Sequence, residues 1–291
     1  MQTFINEARR DATARANHYY FDVATLHLYF TTDSIYDITQ TMTQLLRRNG
    51  LRQPIWINEL NAPPSNDPLN PWAAPLFVTE LDQQAGFIVQ ATALGLAAGA
   101  ERIGIYKLVD FPAYPEGFPA YGLIRADGTH RPAYDALKTV TTYFRDVRSA
   151  RLWRTSSAEI VTLDRGSATT RIAWARRGVT TTITLPAVNT EATLISVAGV
   201  TATVTAKRGR YELTLPAALC NDPTYGCIIG GTPVIVVESQ PAKPAKALHA
   251  PAQPAPQPVE DITYLIGIGV IIEVAAIVTV MRRIRVNRQR H

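Results

Sequence analysis

The chain is short of the residues from which metal and redox centres are built. It has two cysteines and five histidines among 291 residues. His18, His27 and His130 stand at no ligand spacing, so neither a metal nor a cofactor is expected. A basic body is also missing. The net charge is +5, but Arg282, Arg283, Arg285, Arg288 and Arg290 all fall in the last ten residues. Without them the balance is near neutral, which excludes a nucleic-acid groove. There is no internal repeat, and residues 1–10 (MQTFINEARR) lack the apolar core of an export signal. Hydrophobic residues make up 46% of the chain and charged residues 18%, enough apolar mass for a sizeable core.

The one long hydrophobic run lies near the end. Residues 262–281 (ITYLIGIGVIIEVAAIVTVM) contain a single charge, Glu273. At about 1.5 Å per residue, a helix of that length spans a hydrocarbon core of about 30 Å. A single transmembrane helix over 261–281 is therefore expected. The arginine-rich tail, 282–291, holds its flank in the cytoplasm, which predicts a single-pass protein of the cell membrane with an extracytoplasmic body. A carboxylate near mid-bilayer costs about 2.5–3.5 kcal/mol, so Glu273 is expected to be protonated or paired. Residues 240–260 alternate Pro and Ala and read as a stiff, extended linker. Two cysteines in one short stretch outside the cytoplasm oxidise, so Cys220 and Cys227 are expected to form a disulfide. Export also requires a signal that residues 1–10 do not supply. The expectation is that the chain begins inside a longer protein or at a misassigned start.

Residues 1–148 alternate strand and helix, which reads as parallel α/β. FDVATLHLY (21–29) is a β-rich run, and 35–48 has helical spacing that stops at Asn49-Gly50. A second strand covers 54–60, a Pro- and Asn-rich loop 61–75, and a helix 79–98. A third strand is expected over 102–108 and a last helix over 132–145, with Pro132 in its first turn. Residues 4–16 also read as helix. Over 149–239 the pattern changes to short β-rich runs (159–163, 170–175, 180–185, 192–197, 202–206, 211–215, 233–237), which predicts a β-sandwich.

The segment WINELN (56–61) places Glu59 at the C-terminal end of a parallel strand, followed by a long loop. Catalytic residues of parallel barrels sit at that end, and a carboxylate there can attack an anomeric carbon. A strand-end Glu can equally cap a loop or pair with a surface Arg. His27 and Tyr29 end the preceding strand two residues apart, so both point to one face. Tyr106, Lys107 and Asp110 end the third strand. Asn58, Tyr106 and Lys107 join His27 and Tyr29 as substrate-binding candidates. Trp72, in the long loop, either stacks on a sugar or packs.

FDVATLHLY at 21–29, the helix ending at Asn49-Gly50 and PIWINE at 54–59 together resemble strands six and seven of clan A retaining glycoside hydrolases, most of all family 39. YKLVD at 106–110 resembles strand eight. The resemblance covers roughly the first 146 residues. It implies the C-terminal portion of a (β/α)8 TIM barrel followed by a β-sandwich, with Glu59 as nucleophile, His27 and Tyr29 lining the sugar site, a carbohydrate substrate and no cofactor. The family's acid/base, a Glu usually following Asn on strand four, has no equivalent here. Glu7 follows Asn6 but lies fourteen residues before Phe21, too near for the intervening strand and helix. Two readings therefore stand beside a membrane-anchored glycosidase: a non-catalytic glycan-binding or structural surface protein, and a fragment that does not fold alone. The sequence carries no signal for oligomeric state.

Overall fold

A computed structural model describes residues 1–72, 75–112 and 118–239. The linker 240–260, the apolar run 262–281 and the tail 282–291 lie outside the described residues. Among the described residues, no helix is long and apolar enough to cross a membrane.

The first half carries three parallel strands in the order β1-β2-β3: β1 (Ala24–Tyr29), β2 (Ile55–Asn61) and β3 (Arg102–Ile103). Four helices accompany them: α1 (Gln2–Ala8), α2 (Thr32–Arg48), α3 (Leu81–Ala97) and α4 (Pro132–Tyr143). Arg47 and Arg48 in the last turn of α2 complement its C-terminal dipole. Asn49 and then Gly50, at φ 71°, end that helix. Helix α3 opens with a reciprocal capping box between Glu80 and Gln83. It is buried from Gln83 to Gly95, as a helix apolar on all sides must be. Its buried glutamines reach distant partners, although Gln84 Oε1 has none among the described residues. Gln90 accepts from Thr32 Oγ1 and Gly230 N and donates to Gly231 O, while Gln84 donates to Asn61 Oδ1.

Two expected elements are shorter than their periodicity implies. The helix read over 4–16 ends at Ala8, and the Asp11 carboxylate takes Thr13 N at 2.8 Å, a local turn that competes with helix. The strand read over 102–108 pairs only at Arg102–Ile103. Gly104 then lies so close to Asn58 that a Cβ there would stand 2.6 Å from the Asn58 carbonyl. Beyond it Tyr106 N still donates to Leu60 O at 3.2 Å, but its carbonyl accepts from the side-chain amide of Asn61 at 2.6 Å, a side chain in place of a backbone donor.

The second half is antiparallel. A six-stranded sheet has the order β4-β5-β6-β11-β8-β9, from β4 (Ser149–Arg154), β5 (Ala158–Asp164), β6 (Thr169–Ala175), β8 (Glu191–Ile195), β9 (Thr201–Thr205) and β11 (Val234–Glu238). A two-stranded sheet of β7 (Thr181–Pro186) and β10 (Arg210–Leu215) packs on it. Strand β4 was not among the expected runs; Trp153 falls on its exposed face and Arg154 on its inward face, which breaks the apolar alternation. Every residue of β6 is buried. Ala173 and Ala175 meet Leu185, Leu213 and Leu215 of the small sheet, while Ile172 and Trp174 join the cluster that holds Phe87, Leu94 and Ala136 of α3 and α4. The larger sheet is thus a middle layer, and one core runs through both halves of the compact unit Met1–Lys243. Cys220 and Cys227 are joined in a disulfide.

An ion cluster also ties α2 to the antiparallel sheet. Two guanidiniums, Arg154 and Arg176, face three carboxylates, Asp33, Asp37 and Glu159. Arg154 donates to Glu159 and, at 2.9 Å, to Asp37; Arg176 donates to Asp33. The leftover charge falls on Glu159, which is fully buried and whose Oε2 has no hydrogen-bond partner among the described residues. Burial first, and then the Asp33 charge, push its carboxyl up to about 7 against the pull of Arg154. Between the usual carboxylate range and that value, the native chain holds a proton that the unfolded chain has released. Stability is therefore expected to fall as pH rises through this window, by at most about 1.4 kcal/mol per pH unit. Urea midpoints from about pH 5 to about pH 8 should slope down in the parent chain and flatten in Glu159→Gln. Equal slopes in the two chains would remove Glu159 as the source.

Candidate active site

The site forms at the carboxyl ends of β1 and β2, and a register shift builds it. Leu26 pairs with Ile57, but His27 pairs with Glu59 and Tyr29 with Asn61, so Asn58 is the extra residue of a bulge. The bulge brings Glu59 opposite His27, where an unbroken register would have put Asn58. Alternation along β1 then sets Tyr29 on the same face.

Glu59 is about one-third exposed, and one of its oxygens is occupied. Tyr29 donates its hydroxyl to Oε2, and Nδ1 of His27 stands 3.5 Å from the same atom. Oε1 has no partner among the described residues. Burial, and then the hydrogen bond to Glu59, raise the Tyr29 phenol far above its ordinary value, so it stays a neutral donor at any physiological pH. Tyr29 meets Tyr121 edge-on at 5.5 Å, and Tyr121 meets Tyr106 at 5.4 Å. Burial pushes Tyr121 up to about 12 as well, with smaller pushes from Tyr106 and Glu59. A carboxylate with one oxygen held and the other without a partner among the described residues, beside a wall of tyrosine rings, can act as a nucleophile toward a polyhydroxylated ring.

Of the residues expected from the sequence, Glu59, His27, Tyr29 and Tyr106 come together. Asn58 is exposed and serves as the bulge residue. Lys107 has its ammonium 3.0 Å from the Phe111 ring centroid, and burial lowers its pKa against the pull of Asp110. Asp110 is buried, accepting from Arg131 at 2.6 Å and from Gly122 N at 2.6 Å. Trp72 packs against the main core. Glu7 lies on α1, exposed and paired with Arg10.

Two contributors were not foreseen. Tyr121 lies in the long segment after β3, where no local pattern marks it. Asn61, fully buried, donates from Nδ2 to the carbonyls of Tyr106 and Tyr121 and accepts at Oδ1 from Ala62 N and Gln84. Its place in WINELN, in phase with Glu59, was the available signal. The rim is held by Arg131, whose fully buried guanidinium reaches Asp67 at 2.7 Å, Asp110, the Gly122 carbonyl and Asn70. Arg125 adds a fork onto Asp67. Burial pushes the Asp67 carboxyl up, but Arg125 and Arg131 outweigh it and hold it below the usual range. These contacts lock the loop after β2 to the loop after β3. Among the described residues, no group of three or more His, Cys, Asp or Glu could hold a metal. A cleft of about 710 Å³ opens at the other end of β2, around Arg47, Gly50, Ile55 and Gly99, but no Asp, Glu or His lines it.

No family model matches the chain, and no curated protein matches it. Among solved structures, it is similar to a family 39 glycoside hydrolase from the gut symbiont Bacteroides cellulosilyticus WH2. Identity is 17% over 77% of this chain and 46% of that one, with a TM-score of 0.55. A family 30 endoxylanase from Clostridium papyrosolvens C71 is 11% identical over 79% of this chain and 51% of that one, with a TM-score of 0.49. A family 51 alpha-L-arabinofuranosidase from Bifidobacterium longum is 13% identical over 82% and 56%, with a TM-score of 0.48. The first of these shows the fold: a mixed helix and sheet architecture of the glycoside hydrolase barrel type. The chain spans about half the length of the solved structures it matches.

Proposed function

We propose that this chain forms the nucleophile-bearing part of a retaining glycoside hydrolase of the family 39 kind, held at the outer face of a cell membrane by residues 262–281. The observation that carries the reading is the state of Glu59: Oε2 held by Tyr29 and approached by His27, Oε1 without a partner among the described residues. In the reaction, Oε1 bonds to the anomeric carbon as the glycosidic C–O bond breaks and its electron pair passes to the leaving oxygen. That oxygen takes a proton from a second carboxyl group, about 5–5.5 Å from the nucleophile in retaining enzymes. Water then opens the glycosyl ester, with the second group accepting its proton. The resemblance carries over Glu59 alone, so the second carboxyl is assigned to none of the described residues.

The test uses a leaving group that needs no proton. From a 2-deoxy-2-fluoro glycoside of 2,4-dinitrophenol the phenolate departs as a stable anion, so the glycoside should glycosylate Glu59 without the acid. Mass spectrometry of the full chain should show one added sugar, located on the peptide containing Glu59. No adduct with gluco or xylo reagents, or an adduct elsewhere, would favour the non-catalytic glycan-binding reading.

A further inference from the structure

We propose that the disulfide loop of the antiparallel half is part of the substrate site, with Tyr225 as a platform for a distal sugar ring. The inference rests on the glycosidase reading and deepens it: the substrate class becomes an oligo- or polysaccharide instead of a single-sugar glycoside.

A row of aromatic rings carries it. From Tyr29, which holds Glu59, the steps run 6.4 Å to Phe30, 4.5 Å from Phe30 to Phe77 and 5.4 Å from Phe77 to Tyr225. Phe30 follows β1 directly, and Phe77 lies in the loop after β2, so the row stays at the carboxyl ends of the strands. Phe30 and Phe77 are buried; Tyr225, at the far end, is 54% exposed. A large ring left in water gains little from burial, yet this one is fixed from several sides. The Cys220–Cys227 disulfide closes its loop. Asp222 Oδ1 accepts from the backbone amides of Thr224 at 3.0 Å and Tyr225 at 2.8 Å, while Oδ2 accepts from Val78 N at 3.0 Å. Thr32 N donates to Ile228 O, docking the end of the loop on the first turn of α2. One carboxylate thus ties Tyr225 to the loop that leaves the Glu59 strand. A rigid, wet aromatic face with an apolar body suits the C–H face of a sugar ring. Three ring-to-ring steps separate it from Tyr29, which suits a ring further along the same chain.

The experiment titrates the full chain, carrying Glu59→Gln to prevent turnover, with β-1,4-linked gluco- and xylo-oligosaccharides from monomer to hexamer. Affinity is expected to rise with length. Adding Tyr225→Ala should weaken the long members about tenfold and leave the monomers unchanged, and Tyr225→Trp should restore the gain. A parent chain with no gain in affinity with length, or a gain that survives Tyr225→Ala, overturns the platform. The trapping reagent carries one sugar, too short to reach Tyr225, so the platform and the nucleophile fail or stand independently.

Discussion

A burst of one dinitrophenolate per chain, released when an activated glycoside meets the full protein, is expected to disappear in Glu59→Gln. The amide has nearly the shape of the carboxylate and can still accept from Tyr29, but it has no anionic oxygen to offer carbon. Loss of a nucleophile typically costs about ten-thousand-fold or more in the chemical step. The fold should not suffer, because Glu59 is about one-third exposed and its side-chain hydrogen-bond and ion-pair partners among the described residues are Tyr29 and His27. Tyr29→Phe is expected to retain the burst and slow it about a hundredfold at most, since it removes the donor that orients Oε2 and leaves the attacking atom in place. Stopped-flow absorbance measures both amplitude and rate. A burst of unchanged rate in Glu59→Gln would remove this residue from the chemistry, and an equal loss in both variants would mean the tyrosine does more than orient.

The largest loss of stability is expected from Arg131→Met. Two carboxylates, Asp67 and Asp110, share Arg131, with Arg125 also on Asp67 and Lys107 drawn to Asp110, and the Arg131, Asp67 and Asp110 side chains are almost completely buried. Removing Arg131 takes the shared guanidinium from both buried carboxylates and strands the Gly122 carbonyl and Asn70. A buried pair broken from one side costs about 3–5 kcal/mol, read as a lower urea midpoint. Arg131→Lys should recover only part of this, because an ammonium is a point donor and cannot reach acceptors spread around a planar fork. Lys138→Ala supplies the contrast: its pair with Asp135 is exposed, and its loss should cost at most about 1 kcal/mol. Since Arg131 joins the loops after β2 and β3, its variant should also slow trapping at Glu59 beyond what the stability loss explains. Similar midpoints for Arg131→Met and Lys138→Ala would show that the cluster contributes little.

Much of this chain was legible in short windows. Three strands and three of the helices of the first half follow from apolar spacing and from local stops such as Asn49-Gly50. The alternation of His27 and Tyr29, with Glu59 ending the next strand, put this carboxylate and its neighbours on one face. Each of these depends on residues within a few positions of one another, and the backbone periods of 2 and 3.6 make such patterns self-reporting. Other features depend on the path of the whole chain. The bulge at Asn58 that sets Glu59 opposite His27 exists only once β1 and β2 are paired. Tyr121 reaches the site through Asn61, 60 residues earlier, and Gln90 bonds a carbonyl 141 residues away. The all-buried β6 has no alternation to read because it lies between two layers. Asp110, at the end of the strand-eight-like segment, became part of the rim because buried Arg131 claims it. The sequence by itself determined which side chains a strand end presents. Only the tertiary structure decided which of them meet, because a buried polar group is satisfied by whatever partner packing brings to it, however distant in sequence.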